Sequence, residues 1–129
     1  MQQRWIRIGA VAAMLSVAIG AFGAHLLKGK IDADELAIFE TGVRYHMYHA
    51  IGLVLIALAA GQWGTSAKLL WAARLFVIGI VLFAGSLYVL SITGVKVLGA
   101  ITPLGGVCFI AGWILLALAA PRKNGSAHS

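Results

Sequence analysis

The sequence predicts an all-α integral membrane protein: a four-transmembrane-helix up-down bundle, with a short amphipathic interfacial helix between helices 1 and 2. Three observations lead there. Of 129 residues, 61% are hydrophobic, while only ten are Lys or Arg and four Asp or Glu, a balance outside that of soluble domains. Apolar segments recur four times, each to be measured against ~30 Å of hydrocarbon at ~1.5 Å per helical residue. The polar punctuation between them is short, so neighbouring segments run antiparallel. A bilayer supplies no water to unpaired backbone groups, and spans of this length are therefore helices.

The first span covers residues 5–27, with one charge, Arg7. Its apolar run is longer than the core of a secretory signal, which favours an uncleaved span, although Arg4, Arg7 and the small residues at 21–24 are the features such a signal would show. Ser16, Gly20 and Ala24 repeat every four residues, and Gly9 with Ala13 extends the small surface. Such a ridge lets helices approach closely, either inside one bundle or against a second copy.

Residues 28–42 carry all four acids, Asp32, Asp34, Glu35 and Glu40. With Leu36 and Phe39 interposed and Asp32 or Asp34 available as an N-cap, this is where the amphipathic interfacial helix is expected. The second span is the hardest to place, because its polar-free stretch is only 50–61. It has to recruit Tyr45, His46, Met47, Tyr48 and His49 to cross. The third span covers 69–93 and ends at Gly94, a residue suited to the left-handed C-terminal position. The last covers 97–120, within which Thr102-Pro103 is either a kink or the true start, with Thr102 as N-cap and Pro103 in the first turn. Residues 1–120 thus form one domain, and the polar tail 121–129 is expected to be disordered.

Charge sets the orientation. Arg4, Arg7, Lys68, Arg74, Arg122 and Lys123 fall on the side of both termini, whereas Lys28, Lys30, Arg44 and Lys96 share the other side with every acid. The positive-inside rule puts the termini in the cytoplasm. The same scattered distribution speaks against nucleic acid despite the net charge of +6, since no basic stripe interleaved with aromatics exists. Cys108 is the only cysteine, so neither a disulfide nor a thiolate metal site can be built within the chain. No lipidation signature, catalytic triad, phosphate loop or zinc-protease string is present, and no soluble catalytic domain fits in the remaining residues.

The topology gathers polar residues toward the side that holds the acids. The candidate cluster is His25, Glu40, Arg44, Tyr45, His46, His49, Ser86, Tyr88 and Thr102. Glu40 and Arg44, four apart on a helix, read as an interfacial ion pair. His46 and His49 stand three apart, and with His25 and Glu40 they are candidates for a zinc or copper site or a proton relay. Two hydrogen-bonded histidines beside tyrosines are the plainer reading, and no cofactor is expected.

Four blocks carry a family likeness: Gly-Ala-Phe-Gly-Ala-His (20–25), Phe-Glu-Thr-Gly-Val-Arg-Tyr-His-Met-Tyr-His (39–49), Phe-Ala-Gly-Ser-Leu-Tyr (83–88), and Ile-Thr-Pro-Leu-Gly-Gly (101–106) followed by Gly112-Trp113. Together, in this order, they resemble the YgdD-like small inner-membrane proteins, also called transmembrane protein 256-like in eukaryotes. The resemblance implies a four-helix protein of the bacterial inner membrane, of a family without an established biochemical role. The expected partners are membrane lipids, a homo-oligomer or a larger membrane assembly. A non-enzymatic structural or accessory role is favoured over a small transporter, channel or metal-binding protein, with an enzyme acting on lipid third.

Overall fold

The computed structural model describes residues 1–122, so all but the first two residues of the expected tail lie outside it. Among the described residues four helical spans are present, each long and apolar enough to cross a membrane: Gln2–Leu27, Ala33–Trp63, Ala67–Thr93 and Lys96–Ala119. The first consists of α1 (Gln2–Ala18), a π-helical turn (Ile19–Gly23) and α2 (Ala24–Leu27). The second is α3 (Ala33–Trp63), one continuous helix of 31 residues. The third repeats the plan of the first, with α4 (Ala67–Gly79), a π-helical turn (Ile80–Ala84) and α5 (Gly85–Thr93). The fourth is a 3₁₀ turn (Lys96–Ala100) leading into α6 (Thr102–Ala119).

The helix ends follow from local chemistry. Asp32 Oδ1 accepts from the Glu35 backbone N–H at 2.7 Å, and Glu35 Oε1 accepts from the Asp32 N–H at 3.0 Å, a reciprocal capping box. Ser66 caps α4 by accepting from the Leu69 N–H. Gly94 ends α5 at φ +72°, a conformation that glycine adopts without a Cβ clash.

Two expectations are refined. The acidic segment is not a separate helix on the membrane surface: it forms the first turns of α3, because no backbone break stands between Ala33 and Trp63. Thr102-Pro103 is the start of α6, with Pro103 in its first turn. Thr102 is not the cap, because its hydroxyl is drawn to Ser86 Oγ, 2.6 Å away on α5.

Helix α3 is central. It packs against α1 on one side and the third span on the other, while α6 packs on α4 and the adjoining π turn. The flanking helices α1 and α6 do not pack on one another to any extent. The ridge of small residues on α1 faces α3: a Cβ on Gly9 would strike Val54 and one on Gly20 would strike Val43, and Ser16 Oγ donates to the Val43 carbonyl at 3.0 Å. That surface is therefore occupied inside the bundle. The apolar core contains Leu53, Ile56, Ala57, Ala72, Ala73 and Phe76, all fully buried, and Trp5 joins it from α1.

Candidate functional site

From the acid-rich end inward, the polar residues of α3 separate into an exposed group and a buried one. Glu40 and Arg44 are exposed. The expected ion pair is replaced by a local bond, in which Arg44 Nη2 donates to Thr41 Oγ1 at 3.2 Å. Thr41 in turn donates to the Ala37 carbonyl, so this group is tied along its own helix. His25 is also exposed, near the end of the first span.

The buried group begins at His46, 5% exposed, whose Nδ1 lies 2.8 Å from the Tyr88 hydroxyl on α5. The Tyr88 ring packs on Phe39 at 5.3 Å between centroids. A second tie joins α5 to α6 through Ser86 and Thr102, and Ser86 Oγ also reaches the carbonyl of Phe83 in the π turn, at 2.9 Å. These bonds satisfy polar groups that would be costly to leave bare in hydrocarbon.

His49 lies near the middle of α3 and has the most complete surroundings. Its ring stacks on Phe109 of α6, with centroids 3.5 Å apart and planes 8° from parallel, and meets Phe76 of α4 edge to face at 5.0 Å. Its Nε2 accepts from Trp113 Nε1–H at 2.9 Å, and its Nδ1 lies 2.8 Å from the Tyr45 carbonyl oxygen. An indole nitrogen can only donate and a carbonyl can only accept. The bonds therefore fix the neutral ring with the proton on Nδ1, and both nitrogens are engaged.

Glycines make this aromatic packing possible. Phe76 is clamped between Gly52 and Gly112, where an added Cβ would fall 2.6 Å and 2.5 Å from its ring. Phe109 likewise sits over Gly79. Beside His49 a groove of about 510 Å³ opens between α3 and α6, lined by Tyr45, Tyr48, Phe83, Phe109 and Trp113 among others.

The structure thus joins His46 to Tyr88, His49 to Tyr45 and Ser86 to Thr102, and leaves His25, Glu40 and Arg44 outside these pairs. Among the described residues no three His, Cys, Asp or Glu side chains come together in a way that holds a metal ion. For His49 the reason is chemical, since a ligand nitrogen needs the lone pair that Trp113 occupies. Sequence reading missed Phe76, Phe109 and Trp113 as the walls around His49. The signal present was Gly112-Trp113, a small residue beside a donor-bearing ring in the interior of a span.

A protein family described as "Protein of unknown function (DUF423)" matches residues 19–106. The chain is 52% identical over 118 residues to the UPF0382 membrane protein YwdK of Bacillus subtilis, covering 92% of this chain and 96% of that relative. It is 50% identical over 121 residues to the UPF0382 membrane protein SERP0230 of Staphylococcus epidermidis, covering 94% and 98%. It is 47% identical over 112 residues to the UPF0382 membrane protein SH2409 of Staphylococcus haemolyticus, covering 87% and 90%. No solved structure matches it.

Proposed function

Because the chain belongs to the DUF423 family, small membrane proteins of unknown function, we propose that it is a non-catalytic structural or accessory component of the bacterial inner membrane, with both termini in the cytoplasm. This agrees with the resemblance to the YgdD-like proteins carried by the four motif blocks. The observation that carries the reading is the pairing of the buried polar groups with one another: His46 with Tyr88, Ser86 with Thr102, and His49 with Tyr45 and Trp113. Transport or metal retention needs donors that face a common point, and these donors face each other. The basic residues at the end holding the termini support the orientation.

The test is native purification followed by metal analysis, with ion and solute uptake measured in proteoliposomes. The expected result is metal well below one per chain and no uptake by the wild type, while His49→Ala lowers thermal stability in detergent. Stoichiometric metal, or an uptake that His49→Ala removes from a folded protein, overturns the proposal. For orientation, single cysteines at Gln3 and Lys96 in a Cys108→Ala background are labelled in whole cells with an impermeant maleimide. Labelling of position 96 alone is expected, and labelling of position 3 alone overturns the assignment.

A further inference from the structure

The face of the bundle away from the His49 groove carries a second groove, of about 470 Å³, between α1 and the third span over a floor of α3. It exists because α1 packs on α3 and makes little contact with the third span. Its walls are hydrocarbon, with Val11 and Leu15 on α1, Leu53 on α3 and Val81 in the π turn of the third span. Val11, Leu15 and Val81 are 51%, 46% and 64% exposed, so the groove opens sideways, toward lipid rather than toward water.

Two polar residues line it, at different depths. His46 lies toward the middle of the bundle, and its Nδ1 is engaged by Tyr88. Arg7 stands at the end near the N-terminus. From Arg7 to Leu15 the groove follows eight residues of α1, about 12 Å, against the ~15 Å depth of one leaflet's hydrocarbon.

Among the described residues Arg7 has no acidic partner within reach. The antiparallel register sets Gly9 against Ala50 and Val54, Gly20 against Val43 and Gly23 against Phe39, so the nearest acid along α3, Glu40, is level with the far end of the first span. The separation is thirteen residues or more, about 20 Å along the helix. All four acids lie at 32–40. Arg74, three residues before Val77 on α4, adds a second cation on the same side of the membrane and lies over the Trp71 ring at 4.9 Å. A cation at the interface followed by an apolar trough one leaflet deep matches a phospholipid, whose phosphate pairs with guanidinium. The His49 groove has no charged residue in its lining and carries no such gradient.

We propose that this groove binds one anionic phospholipid from the leaflet on the N-terminal side, with its phosphate on Arg7 and one acyl chain lying along α1 toward His46. The site is independent of whether the chain catalyses, transports or only packs. Native mass spectrometry of the full chain, delipidated and titrated with phosphatidylglycerol or with phosphatidylcholine of the same acyl chains, tests it. The wild type is expected to retain one phosphatidylglycerol about fivefold more strongly than phosphatidylcholine, the scale of one basic residue acting on an anionic headgroup. Arg7→Gln is expected to abolish that preference, and Arg4→Gln, which does not line the groove, to preserve it. Val81→Trp, at an exposed wall position, is expected to expel both lipids, with Val81→Phe as the milder filling should the tryptophan protein lose its monodisperse peak. Equal retention of the two lipids by the wild type, equal losses from Arg4→Gln and Arg7→Gln, or undiminished binding by the filled groove each overturns the site.

Discussion

The two halves of α3 differ in the way their polar residues are used. The half near the first loop, residues 33–44, is rich in charge, with Asp34, Glu40 and Arg44 exposed, and its side-chain hydrogen bonds run to neighbours on the same helix or to its cap. The segment from His46 inward has no formal charge, yet its side chains bond to Tyr88 and Trp113, 42 and 64 residues away. Polar residues in a membrane protein organise the fold where they are buried and few, because an unmatched donor in hydrocarbon has no water to turn to. Charges near the interface are solvated by water and headgroups, and their removal costs little.

The sharpest way to break this contrast is at Phe76, the ring on which the central packing converges. Phe76→Ala is expected to cost about 3–5 kcal/mol, and Gly52→Ala about 1–3 kcal/mol through overpacking against the same ring. Thermal unfolding in detergent, followed by circular dichroism, measures both. Because the two act on one space, Gly52→Ala combined with Phe76→Leu should lose less than the sum of the single losses. Additivity would mean that the clamp does not exist.

Trp113→Phe comes next in size. It keeps most of the ring and leaves His49 Nε2 without its donor, for an expected loss of about 1–2 kcal/mol, near the upper end for hydrogen bonds inside membranes. The same substitution sharpens the tautomer assignment. The ¹⁵N shifts of the His49 ring should report a bare acceptor at Nε2 in the variant and an Nδ1-bound proton in both proteins. A proton on Nε2 in the wild type would contradict the bonding described for Trp113.

These walls were not legible in the sequence, whereas the spans were. Hydropathy, Asp32 as a cap and Gly94 as a stop are local patterns, and each is realised where the pattern stands. The partners of His49 depend on the depth and rotation of three separate helices, and the two π turns, Ile19–Gly23 and Ile80–Ala84, shift that rotation without leaving a periodic signature. The small ridge on α1 was readable as a contact surface, but the identity of its partner became readable only once Gly9 and Gly20 were set against α3. The candidate cluster collected residues by their distance from span ends. It therefore grouped Glu40 with His49, although nine residues on one helix separate them by about 13 Å.

That separation makes Glu40 the mildest and most discriminating probe of the exposed half. Glu40→Gln removes a carboxylate whose neighbour Arg44 already donates to Thr41, so the expected change in stability is within about 0.5 kcal/mol. Raising the salt concentration should alter wild type and variant alike, since no buried pair is being screened. A loss comparable to that of Trp113→Phe would mean that Glu40 takes part in the buried network from the helix surface. In that case the division of α3 into a solvated half and an organising half would fail at its boundary, the two-residue step from Arg44 to His46 where exposed charge gives way to paired polar groups.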